Sequence, residues 1–147
     1  MNDTYQDLEG YNINMPEWFQ ENKKLTIAID FDGTIVTHAY PKLGIDMGGL
    51  KVLHKIQERG HNIILFTMRS GNELKEAVEY LNQNGIKLFG INSNQTQSSW
   101  TNSPKVYANI YIDDAALGIP LLWDNTTQRP YVDWKEVQFL LEIQNVI

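Results

Sequence analysis

Asp30-Phe31-Asp32-Gly33-Thr34, Thr67, Lys105 and Asp113-Asp114 are the residues of this chain whose types and order could do chemistry together. They offer two paired acids, a hydroxyl, a cation and two further acids. On an extended segment Asp30 and Asp32 point the same way, because side chains two apart share a face. Carboxylates held so close repel, and one keeps its proton unless a cation intervenes. Mg2+ removes that conflict, being a hard ion that takes oxygen ligands in an octahedron and keeps several waters. Asp113, arriving from another strand, could complete the protein's share of such a shell. Gly33 lets the backbone turn sharply and come close to a ligand.

This inventory suits phosphoryl transfer. A carboxylate can attack phosphorus and divide a hard hydrolysis into two easier steps. A second carboxyl can protonate the leaving group and later deprotonate a water. Donors must surround the charge on the transferring oxygens. Thr67 offers a hydroxyl and neighbouring N–H groups at a strand-to-helix junction, where a helix N-terminus also favours anions. Lys105 offers a compact positive charge to hold the phosphate and keep Asp30 ionised. Arg69, two residues after Thr67, suits a substrate anion or a surface salt bridge equally. Gly33, Thr34, Met68 and Arg69 are the candidates for touching substrate. His38 and Tyr40 lie in a loop beside the site, His54 and His61 read as structural, and Trp100 reads as a loop anchor. Taken singly, each island has a plainer meaning: Asp-Gly after a strand is a turn, and Asp113-Asp114 could cap a helix. The ordered set carries the reading.

The elements that must position these residues are legible as apolar runs. Leu25–Phe31, Ile63–Phe66, Ile86–Ile91 and Val106–Ile112 read as strands, and Leu121–Trp123 as a fifth. A loop covers 35–48. A helix follows with Leu50, Leu53 and Ile56 on one side and Gly60 as its stop. Leu74, Ala77, Val78 and Leu81 predict a second helix over about 72–84, ended by Gly85. A third starts at Asp133 with Glu136 three residues on. Residues 92–103 form a polar loop. Strand–helix alternation with short connections predicts an α/β, three-layer Rossmann-like, mostly parallel sheet with helices on both faces. In such sheets ligands bind at the carboxyl ends of the strands, and all four islands are expected there.

The 147 residues suit one domain: a polar leader over 1–24, a motif-bearing core over 25–118, and a final strand and helix over 119–147. Within the leader, Met15-Pro16-Glu17-Trp18-Phe19 reads as a turn that docks two aromatics. No apolar run approaches a membrane span, and the acidic N-terminus does not read as a signal peptide. There are no cysteines, which fits a cytoplasmic protein without disulfides or thiolate chemistry. A net charge of −6, with 12 scattered Lys and Arg, argues against nonspecific nucleic-acid binding.

The first island resembles the signature of the haloacid dehalogenase (HAD) superfamily of phosphohydrolases. Thr67, Lys105 and Asp113-Asp114 are similar to its second, third and fourth motifs, in order, over residues 25–118. The resemblance implies Asp30 as nucleophile and Asp32 as general acid/base. It implies Mg2+ held by the Asp30 side chain, the Asp32 backbone carbonyl and Asp113, with Asp114 indirect or through water. An acid two residues past the nucleophile implies a phosphatase rather than a dehalogenase. Only 34 residues separate Asp32 from Thr67 and 37 separate Thr67 from Lys105, so the chain resembles a capless member. The site is then open to a small or macromolecular phosphate ester, or completed by a homo-oligomer.

Three other readings stand beside a Mg2+-dependent phosphatase. A response-regulator receiver uses a similar inventory but in another chain order. A mutase needs a lid that excludes water. A catalytically slow HAD-like protein that binds a phosphorylated ligand or partner is the main alternative.

Overall fold

The computed structural model describes residues 23–147; the expected turn at Met15–Phe19 lies outside them. The apolar runs form four short parallel strands: β1 (Thr26–Ile29), β2 (Asn62–Leu65), β3 (Gly90–Ile91) and β4 (Ile110–Ile112), in the order β3-β2-β1-β4. In register, Ile29 lies opposite Leu65 on one side and Ile112 on the other. The three strands that carry acidic or hydroxyl motifs therefore end side by side. No helix of the described residues is long and apolar enough to cross a membrane.

Alternate strand residues sort to two faces. Ile27, Ile29, Ile63, Leu65 and Ile112 enter the larger core with α1 (Gly49–Glu58), α2 (Gly71–Gln83) and α3 (Trp134–Ile143). From β1 through α1 to β2, and on through α2 to β3, the chain steps in one direction. The right-handed rule for such crossovers puts both helices on the same face. The return from β3 to β4 crosses the opposite face, where Ala28, Ile64, Val106 and Ala108 pack with Phe66 and Phe89. The fold is thus the expected three-layer Rossmann-like α/β arrangement, with a thin third layer. Its helix is a single 3-10 turn, Gln97–Ser99.

Helix ends follow the sequence signals. Gly60 and Gly85 take positive φ just past α1 and α2. The Asp133 carboxylate accepts the Lys135 and Glu136 N–H groups at the start of α3. Strand limits differ from expectation. Only 90–91 of the third run and 110–112 of the fourth are paired. Val106 and Ala108 turn instead onto the second face, and the Tyr111 hydroxyl serves their backbone. The fifth run does not join the main sheet. As β5 (Leu121–Asp124) it pairs antiparallel with β6 (Arg129–Val132), a strand the sequence pattern did not single out.

The β5–β6 hairpin and α3 buttress the first motif from behind. The Val132 N–H donates to the Gly33 carbonyl at 2.9 Å. Trp134, 3% exposed, donates its indole N–H to the Thr34 carbonyl at 2.7 Å. His61, also buried, accepts the Leu25 N–H and faces the Val146 carbonyl, which bears out a structural role. Trp134→Phe removes the donor and strands a buried carbonyl. It is expected to lower unfolding free energy by about 1–3 kcal/mol; an unchanged urea midpoint would count against this buttress.

Candidate functional site

Strand β1 ends at Ile29, and the chain turns at once. Asp30 still donates its N–H to the Ile112 carbonyl. Beyond it, the Thr34 and Val36 N–H groups both return to the Phe31 carbonyl, and Gly33 takes a φ of 76°. This turn separates the two acids that an extended segment would have kept on one side. Asp30 clusters with Asp113 and Asp114, whose carboxylate oxygens lie within 4.8 Å of one another. The Asp32 side chain departs from that group and meets Arg69. The expectation that Asp30 and Asp32 share one face is therefore corrected. Of Asp32, only the backbone carbonyl remains a candidate metal ligand.

Thr34 links the cluster. Its hydroxyl donates to Asp30 Oδ2 at 2.7 Å and accepts the Asp114 N–H at 3.0 Å. With its side chain buried and its oxygen so engaged, Thr34 ties Asp30 to the Asp114 backbone. Gly33 likewise makes room for an acid: a Cβ there would stand 2.6 Å from Asp114 Oδ2. The close approach expected of Gly33 is thus to Asp114, with the His38 ring beside it. Asp113 accepts the Ala115 N–H at 2.9 Å in a turn, and no helix follows for it to cap.

Burial pushes the Asp30 carboxyl up to about 8, from an ordinary value of 3.8. The Thr34 hydroxyl opposes this, while the charges of Asp113 and Asp114 add to it. Asp114 is also raised, first by burial. Three carboxylates with hard oxygens and no cation among them form a donor set that Mg2+ fits. Asp30, Asp113 and Asp114 are the side chains that could hold it.

Thr67 follows β2 and is buried. Its N–H donates to the Asn92 side chain at 2.8 Å, and its hydroxyl accepts the Arg69 N–H at 3.1 Å. Asn92, at the end of β3 with a φ of 51°, escaped the sequence reading. Its signal was an Asn, a residue that tolerates left-handed backbone, directly after a strand. Phe31 is fully buried, yet no hydrogen bond among the described residues uses its N–H or that of Asp32. Buried N–H groups are rarely left unpaired, so these two donors suit an anion. Met68, beside Thr67, is 96% exposed.

Lys105 departs from expectation. Its ammonium lies 5.6 Å from the centre of the Tyr111 ring. Among the described residues it forms no ion pair with the acids, and it does not hold Asp30 ionised. Arg69 departs further, since its ion pair is not at the surface. It is 2% exposed, and its guanidinium grips both Asp32 oxygens at 2.7 and 2.8 Å. Tyr40 packs on Arg69. Trp100 meets Tyr107 edge-on, as a loop anchor would.

No protein-family model and no curated protein matches the chain. A solved structure, that of a conserved protein from Bacteroides thetaiotaomicron, matches with a TM-score of 0.67 and 31% identity. The match covers 82% of this chain and 91% of that one. The chain belongs to the same family as that conserved Bacteroides protein.

Proposed function

We propose that the protein is a Mg2+-dependent phosphatase of HAD type, hydrolysing a phosphomonoester through an aspartyl-phosphate on Asp30. The observation that carries this reading is the convergence of Asp30, Asp113 and Asp114 beside the unused N–H groups of Phe31 and Asp32. An Asp30 oxygen attacks phosphorus while the bond to the leaving oxygen breaks. Asp32 enters the cycle as the neutral acid and gives that oxygen its proton, becoming the carboxylate. Asp32 then takes a proton from water as the water oxygen attacks the phosphoryl group, and Asp30 is released with inorganic phosphate. The Phe31 and Asp32 N–H groups and Thr67 face the phosphoryl oxygens. A bound Mg2+ supplies charge neutralisation for the acids and the phosphate. The ester is small or macromolecular, since no inserted domain closes the site, and the lack of cysteine fits a cytoplasmic setting.

One observation favours a second reading, a slow HAD-like protein that holds a phosphorylated ligand or partner. Both Asp32 oxygens already accept hydrogen bonds from Arg69. Multiple turnovers on a panel of phosphate esters would exclude it.

Asp30→Asn keeps the shape of the side chain but removes the nucleophile. It is expected to reduce phosphate release from 4-nitrophenyl phosphate by about a thousandfold or more while the far-UV spectrum is retained. Full activity in that variant would overturn the mechanism.

The raised Asp30 carboxyl also fixes a pH dependence. Its folded value, about 8, lies above the ordinary 3.8, so the folded state prefers the protonated form. The stability this provides is full below pH 3.8 and is lost as pH rises through about 8. His61, by contrast, is lowered by burial from 6.5, so its contribution changes only below that pH. In EDTA the melting temperature is expected to fall between pH 6.5 and 8.5. Mg2+ should diminish the fall, and Asp30→Asn should flatten it. Identical scans with EDTA and Mg2+ at pH 8.5 would count against the metal.

A further inference from the structure

Arg69 is the most thoroughly engaged side chain near the site. A guanidinium has five N–H donors, and all are matched. Nε and Nη2 donate to Asp32 Oδ2 and Oδ1, Nη2 also to the Lys42 carbonyl, and Nη1 to the carbonyls of Pro41 and Glu73. The guanidinium carbon lies 5.0 Å from the Phe31 ring centre and 5.3 Å from that of Tyr40. Its own N–H reaches the Thr67 hydroxyl. One buried cation thereby joins the ends of β1 and β2, the first turn of α2 and the 38–42 segment.

That segment belongs to a flap. The Thr37 N–H donates to the Ile45 carbonyl, the Ile45 N–H to the Thr37 hydroxyl, and Val36 bridges Asp46. Gly44 is required where the two sides meet, because a Cβ there would collide with the Thr37 carbonyl. The flap carries His38 against Gly33 and Tyr40 over Arg69. Among the described residues, the hydrogen bonds that tie its far end to the body are those from Arg69 to the Pro41 and Lys42 carbonyls.

We propose that Arg69 is a positioning residue that acts through Asp32. It holds the Asp32 carboxylate apart from the Asp30–Asp113–Asp114 cluster and fastens the flap to that carboxylate, so the two keep one geometry. Two of the four lone-pair positions on Asp32 stay open while Arg69 is bound. The acid can therefore be aimed at a leaving oxygen or a water without leaving its clamp. A bidentate guanidinium gives a fixed orientation that a Lys ammonium cannot reproduce. The kinetic side of this inference rests on the hydrolytic reading above; the coupling of flap and carboxylate does not.

The test uses the full chain with Arg69→Lys, Asp32→Asn, Arg69→Gln and the Asp32→Asn/Arg69→Gln pair. The pair avoids leaving a buried charge alone, which single removal of either partner risks. With Mg2+ and 4-nitrophenyl phosphate, Arg69→Lys is expected to lower kcat about tenfold to a hundredfold. KM should stay within about twofold. The double variant should be no slower than Asp32→Asn, since the two residues act as one unit. By hydrogen exchange, Arg69→Lys and Asp32→Asn should each speed amides of 38–45 about tenfold while α3 is unchanged. A raised KM at unchanged kcat would make Arg69 a substrate ligand and overturn the proposal. Losses that multiply in the double variant, or unchanged flap exchange, would overturn it too. Absence of turnover in the wild type would sink the phosphatase reading alone, and flap exchange would still decide the role of Arg69.

Discussion

Convergence of Asp30, Asp113 and Asp114 at the ends of two adjacent parallel strands is the constraint on which the rest of the molecule depends. The strands must pair in parallel to bring these ends together, and the Asp30 N–H bond to Ile112 carries the pairing one residue past β1. Two ionised carboxylates whose oxygens lie within 4.8 Å repel by about 3 kcal/mol or more at an effective dielectric near 20. One hydrogen bond to a charged acceptor returns about 1.5–3 kcal/mol. The Thr34 hydroxyl therefore cannot offset two such pairs. Either the cluster holds protons, as the raised Asp30 carboxyl indicates, or a cation joins it, as the proposed function requires. The surrounding structure works to keep the acids where they repel. Gly33 leaves space for Asp114, Thr34 spans the gap, and Trp134 fixes Thr34 from below.

Asp32 lies two residues from Asp30 in an opposite electrostatic setting. One acid sits among carboxylates and the other against a buried guanidinium. The divergence comes from the turn after Ile29, which rotates Asp32 out of the strand's alternation. Paired carboxylates commonly take different roles when their surroundings differ in this way. Here the difference begins in the backbone, since the segment between them is only Phe31, and the Arg69 clamp on Asp32 completes it. That residue fills the core and also offers a ring to Arg69.

The strands, helices and helix stops were legible because they rest on local signals: continuous apolar runs, a 3.6-residue period, and Gly60, Gly85 and Asp133 at the ends. The metal-type acids were legible for a related reason, since residues at the ends of parallel strands are brought together by topology alone. What escaped depends on contacts between distant residues. Nothing in Thr67-Met68-Arg69 indicates that Arg69 turns inward, because its partners Asp32, Pro41 and Lys42 are set by the flap. Thr34 looked like a substrate donor because its tie to Asp114 spans 80 positions. Strand β6 was hidden by Pro130, which an edge strand tolerates and a central one does not. Its partner β5 was legible but drawn to the hairpin rather than the sheet.

The third layer shows how a connection without an α-helix can still be rigid. Between β3 and β4 the chain must cross the Ala28–Ile64 face with its backbone polar groups satisfied. Two amides do this. Gln97 donates to the carbonyls of Ser103 and Lys105 and accepts the Tyr107 N–H. Asn94 donates to the Tyr107 carbonyl and accepts from Thr96. The backbone at Lys105 is thereby fixed, while its side chain reaches out over Tyr111. An ammonium on a four-carbon stem keeps its rotational freedom even where its backbone has none. Any approach of Lys105 to a phosphoryl group is then a change of rotamer, and needs no rearrangement of the layer beneath it.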